Sequence, residues 1–208
     1  MTKTTNVFMN AYEQPGNKLT FSFLCLIEHL SIESVRKILS TLGIHIDQVD
    51  PISVDLVYGG GEANPDGSIQ INPESIVYLE NKTWRRKLEI TQIERHIKEH
   101  LYSTKNVLLV ITADKSDKHK LVILNDPRVH FITWHDLVDN LEKLAKETID
   151  PKDSFLLRQF VEYAEKSGEV WRAKMIDEKL IDSVSQHLRL KKDINQFEND
   201  VWRLMENL

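Results

Sequence analysis

The stretch Pro65-Asp66-Gly-Ser-Ile-Gln-Ile-Asn-Pro-Glu-Ser75-Ile-Val-Tyr-Leu-Glu80-Asn81-Lys82 decides how this chain folds. Its two flanks, Gly67 to Ile71 and Ser75 to Lys82, have strand composition. Between them Asn72-Pro73-Glu74 carries turn chemistry, because Asn bonds its own backbone and Pro presets φ. Together they predict a β-hairpin. With the turn centred on Pro73, opposed residues have numbers that add to 146, which sets Asp66 across from Glu80. Directly opposed Cβ atoms lie about 4.5–5.5 Å apart. Strand side chains alternate faces, so Ile76, Tyr78, Glu80 and Lys82 share one side, and Val77, Leu79 and Asn81 the other.

Two carboxylates at that separation repel each other, and like charges directly opposed destabilise a sheet. The arrangement makes sense with a divalent cation between them. Hard oxygen donors without Cys or His nearby suit Mg²⁺ or Mn²⁺ rather than zinc. Lys82, on the same face, could then stabilise charge developing on a phosphate or orient the attacking water. Two acids and a lysine on one hairpin face form a kit for metal-assisted phosphodiester hydrolysis. The plainer alternative makes Glu80 and Lys82 a surface ion pair and Asp66-Gly67 a simple turn.

Upstream of the hairpin, Phe23, Leu24, Ile27 and Leu30 fall at helical spacing, which predicts a helix over Thr20 to Leu30 with Thr20 as its N-cap. Ser34 to Leu42 continues or follows it. Ile52 to Tyr58 reads as a strand. Gly59-Gly60-Gly61 then breaks the chain, and with no Gly-Lys-Ser/Thr after it this is a turn and not a phosphate-cradling loop. Downstream, a helix is expected from about Lys87 to Leu101 and a buried strand at Val107 to Thr112. A charged loop at Lys115 to Lys120, a strand at Val129 to Thr133 and a helix from Trp134 to Lys146 should follow. Asp150-Pro151 marks a boundary. Beyond it, Ser154 to Lys166, Val170 to His187 and Ile194 to Leu208 look helical. The expected organisation is an α/β core over 1–149 and a helical extension over 150–208. The apolar stripes of that extension either pack back on the core or join two copies into a homodimer.

At this point the chain resembles a known family. Pro65-Asp66 followed by Glu80-Asn81-Lys82 is similar to the signature of the PD-(D/E)xK, or restriction-endonuclease-like, nuclease superfamily, over roughly residues 10 to 145. The resemblance implies a mixed central sheet flanked by helices and a Mg²⁺-dependent endonuclease acting most readily on double-stranded DNA. It implies that Asp66 and Glu80 bind the metal and that Lys82 is catalytic. It also implies two helpers: a polar residue on the helix after the lysine strand, where Gln92 stands, and an acid on the first helix, for which Glu13 is the nearest candidate. Gly16-Asn17-Lys-Leu-Thr20 looks like an Asn-containing opening of defence-associated nucleases, which often have Glu where this chain has Gly16. Phe131-Ile-Thr-Trp134, ahead of a helix, looks like them too. Bacterial or phage defence, or DNA processing, is the implied setting. A catalytically silent module with the same fold, and an RNase or structure-specific resolvase with the same chemistry, remain as alternatives.

Composition bounds these readings. The 208 residues are 41% hydrophobic and 28% charged, with 7 Gly and 6 Pro, which excludes collagen-like, low-complexity and wholly disordered classes. The lone Cys25 excludes an intramolecular disulfide framework and a cysteine zinc cage, and reads as a small buried hydrophobe. No run reaches membrane-spanning length, and Met1-Thr-Lys-Thr-Thr-Asn has no signal-peptide core. The expected setting is cytoplasmic. Net charge is −5, so any polyanion contact must be local. Lys82 to Lys105 supplies one locus, with seven Lys/Arg against three Glu. Within it Arg85, Arg86 and Lys87 are candidate phosphate contacts, with Trp84 beside them; the alternative is a solvated loop entering a helix. His96 and His100 have the i, i+4 spacing that can seat zinc, but lacking a third ligand they read as surface histidines. Trp134, Trp171 and Trp202 read as core anchors.

Overall fold

The computed structural model describes residues 15–45, 53–56, 64–82, 88–167 and 170. Five strands form one sheet in the order β1-β2-β3-β4-β5: β1 (Ser53–Leu56), β2 (Gly67–Asn72), β3 (Ser75–Lys82), β4 (Val107–Thr112) and β5 (Val129–Thr133). The first three are antiparallel neighbours, whereas β3, β4 and β5 run parallel. The result is an α/β domain with a mixed sheet. In the β2–β3 hairpin the pairs Gly67↔Leu79, Ser68↔Tyr78, Ile69↔Val77 and Gln70↔Ile76 keep the sum of 146 that the sequence predicts. The register slips by one beyond Gln70, giving Asn72↔Ser75. Asn72 makes the turn, its Oδ1 accepting the Glu74 N–H at 3.0 Å.

Helices cover both sheet faces. Val77 and Leu79 of β3, Leu109 and Ile111 of β4 and Ile132 of β5 point into a large apolar cluster shared with α1 (Pro15–His29), α2 (Ile32–Thr41), α5 (Trp134–Glu147) and α6 (Pro151–Lys166). Tyr78, Leu108, Val110 and Phe131, the alternate residues of the same strands, enter a smaller cluster under α3 (Ile90–His100) and α4 (Asp117–Val122). Because β4 is covered on both sides, its sequence is an unbroken apolar run.

Three expectations need correction. The first helix starts at Pro15 and not at a Thr20 cap. Pro is well placed in a first turn, where its missing N–H would have no partner anyway. Thr20 is buried within the helix, and its hydroxyl has no hydrogen-bond partner. The expected loop at Lys115 to Lys120 contains the start of α4, whose Leu121 is buried in the smaller cluster; that burial stabilises a turn of helix which the charges conceal. Cys25 is half-buried rather than buried, and partial burial pushes its thiol pKa up.

The boundary at Asp150-Pro151 is a helix start: Asp150 caps α6, accepting the N–H groups of Lys152 and Asp153 at 2.8 and 3.1 Å. Although placed in the expected extension, α6 packs into the core. Phe160 meets Phe23 with ring centroids 5.9 Å apart, and Phe23 meets Trp134 edge-on at 6.3 Å. Asp153 also accepts from the Ser31 N–H and hydroxyl, which joins the start of α6 to the start of α2. The compact unit containing the sheet extends to Trp171; the helices expected from Val170 onward lie outside the described residues, apart from Val170 itself. No described helix is long and apolar enough to cross a membrane.

Candidate active site

The alternation of β3 separates two kinds of chemistry at its C-terminal end. Asn81 faces the large cluster, where its Oδ1 accepts the indole N–H of Trp134 at 2.7 Å. This bond anchors the strand end to α5. Glu80 and Lys82 face α3. Glu80 is 1% exposed and both of its oxygens are engaged: Oε1 with Lys82 Nζ at 2.6 Å and Oε2 with His96 Nε2 at 3.0 Å. Lys82 Nζ also donates to Gln92 Oε1 at 2.7 Å.

Helical spacing explains how α3 supplies both partners. Gln92 and His96 are four residues apart and therefore stand one above the other on one face. Ile93, fully buried in the smaller cluster, turns that face to the sheet. The lysine is thus held between an acid two residues before it on its own strand and an amide on the following helix.

Asp66 sits just before β2. Its N–H donates to the Leu79 carbonyl at 2.8 Å, and its Oδ2 accepts the Asn81 N–H at 2.7 Å. The half-buried carboxylate is therefore fixed against the residue between Glu80 and Lys82. The expected repulsion between Asp66 and Glu80 is answered inside the chain: a backbone N–H faces one carboxylate, and an ammonium and an imidazole face the other. A buried carboxylate requires such partners, since an isolated one costs several kcal/mol.

Of the residues singled out in the sequence, Lys82 touches both Glu80 and Gln92, and Asp66 is tied to the same strand end. Glu13 and the basic trio Arg85, Arg86 and Lys87 lie outside the described residues, as does Trp84. His96 is a correction. It is fully buried, not a surface histidine, and it bonds Glu80. The signal was available: an apolar stripe through Ile93 and Ile97 brings position 96 to the sheet-facing side of the helix.

Among the described residues no group of three or more His, Cys, Asp or Glu side chains could hold a metal ion. A magnesium site does not require that many, because Mg²⁺ keeps several waters and commonly takes one or two carboxylates plus substrate phosphate oxygens. Asp66 and Glu80 are the two carboxylates bonded at this end of β3, Asp66 to the Asn81 N–H and Glu80 to Lys82 and His96. No family model matches the chain, and no curated protein or solved structure matches it either.

Proposed function

We propose that the chain is a divalent-metal-dependent nuclease with a restriction-endonuclease-like core. In this reading it is an endonuclease acting on double-stranded DNA, in defence against foreign DNA or in DNA processing. The observation that carries the reading is the Lys82 ammonium clasped by Glu80 and Gln92 while the Asp66 carboxylate abuts Asn81 between them. The antiparallel hairpin that bears these groups, followed by a helix and a parallel strand, is the element order that such a core needs.

Asp66 and Glu80 would hold Mg²⁺ or Mn²⁺, which when bound polarises a phosphate oxygen and lowers the pKa of water. Lys82 places a positive charge where a phosphorane-like transition state gathers negative charge, and it orients the attacking water. Gln92 keeps the ammonium from rotating away, as it accepts one of the three Nζ protons. Arg85, Arg86 and Lys87, next along the chain from Lys82, are the proposed backbone-phosphate contacts, so binding should weaken with salt.

Incubation of supercoiled plasmid, linear duplex and RNA with Mg²⁺, Mn²⁺ or EDTA tests the reading. Metal-dependent nicking or linearisation that is lost in Asp66→Ala and Lys82→Ala supports it. Equal cleavage by these variants and the wild type refutes the assignment. A second reading, a catalytically silent module of the same fold, draws on the full engagement of Glu80: neither oxygen lacks a partner. Failure of Mn²⁺ to bind at Asp66 and Glu80 would select it.

A further inference from the structure

The least expected member of the site is His96. Its ring is completely buried, and Nε2 lies 3.0 Å from Glu80 Oε2. A carboxylate can only accept, so Nε2 carries the proton in this contact. The other ring nitrogen, Nδ1, is buried without a hydrogen-bond partner. A Leu or Ile could fill the same volume without stranding a polar atom. The one hydrogen bond that justifies an imidazole here is therefore the one to Glu80.

That bond divides the two oxygens of Glu80 by environment. Oε2 is committed to a ring that no water reaches. Oε1 instead meets the Lys82 ammonium, whose side chain is 10% exposed against 0% for that of His96. We propose that His96 is a positioning residue that locks Glu80 through Oε2, so that Oε1, held by the Lys82 ammonium at 2.6 Å, is the oxygen a divalent cation would reach by taking the place of that contact. The inference rests on the nuclease reading and extends it by assigning a residue which that reading does not use. Hydrogen bonds to a ligating carboxylate restrict its rotation, and loss of such an outer partner commonly weakens metal binding about 10- to 100-fold.

The experiment is a calorimetric titration of the folded full chain with Mn²⁺, with circular dichroism and thermal melting recorded for every variant. His96→Leu removes the donor. His96→Gln returns an N–H close to the position of Nε2, and His96→Asn carries one too short to reach Glu80. The expected result is Mn²⁺ binding weakened at least tenfold in His96→Leu and His96→Asn, and restored in His96→Gln to near the wild-type value. Wild-type affinity in His96→Leu, or equal weakening in Gln and Asn, overturns the inference while leaving the nuclease reading standing. Should His96→Leu not fold, the Gln and Asn pair decides the matter. A Glu80→Gln control separates the two levels. If the wild type binds no Mn²⁺, or if Glu80→Gln binds as well as wild type, the metal reading fails and the role of His96 fails with it.

Discussion

The two faces of β3 use the same backbone for opposite ends. On one face Val77 and Leu79 sit in the large cluster, and Asn81 finishes the row by bonding Trp134. On the other face Tyr78, Glu80 and Lys82 run from an aromatic at the cluster edge to a buried acid and a buried lysine. The first face spends its alternate positions on packing. The second accepts a cluster of charge that apolar residues of similar volume could replace with little loss of stability or even a gain. The contrast teaches that chemistry can be carried by every second residue of a strand because the intervening ones hold it in register.

Four perturbations break or sharpen this contrast. The largest stability loss should come from Trp134→Ala, which removes a fully buried ring at the start of α5, with its edge-on contact to Phe23 and its bond to Asn81. Denaturant unfolding should show a loss of about 3–5 kcal/mol. Lys82→Ala should cost less, about 1–3 kcal/mol, because Glu80 keeps its bond to His96; cleavage, measured on plasmid, should nevertheless disappear. Trp134→Phe retains most of the ring but removes the N–H that bonds Asn81 Oδ1, so a loss of about 1–2 kcal/mol is expected, with cleavage retained.

The smallest effect is read through pH. Burial pushes the Asp153 carboxyl up, but hydrogen bonds from the Ser31 hydroxyl and N–H and from Ser34 outweigh it and hold the pKa below the ordinary aspartate value. A depressed native pKa means that the stabilisation is present above the unfolded value and is lost as pH falls through the native one. Thermal melting between neutral and strongly acid pH should therefore decline less steeply in Asp153→Asn than in the wild type. Identical slopes would show that the α2–α6 junction contributes nothing to acid sensitivity.

Much of the sheet was legible in the sequence. The hairpin register followed from one turn and strict alternation, and the strands at 107–112 and 129–133 stood out as short apolar runs between charged segments. Position 92 could be marked as a candidate, since the resemblance placed a polar helper on that helix; its contact with Lys82 is supplied by the fold. The start of α1 was hidden because the apolar spacing begins at Leu19, four residues into a helix that starts at Pro15. The start of α4 was hidden because five charges and a histidine precede the apolar run Leu121-Val-Ile-Leu124. His96 was misread for a simpler reason: a histidine between Arg95 and Lys98 looks solvated until its helix is rotated onto the sheet. That rotation follows from the apolar stripe through Ile93 and Ile97, which packs into the smaller cluster.

The most direct test of the central claim compares Mg²⁺-dependent nicking of supercoiled plasmid by wild type, Asp66→Ala and Trp134→Phe at one temperature well below all three melting points. The account predicts nicking by the wild type and Trp134→Phe and none by Asp66→Ala. Undiminished nicking by Asp66→Ala, or no nicking by the folded wild type on any duplex, would contradict it.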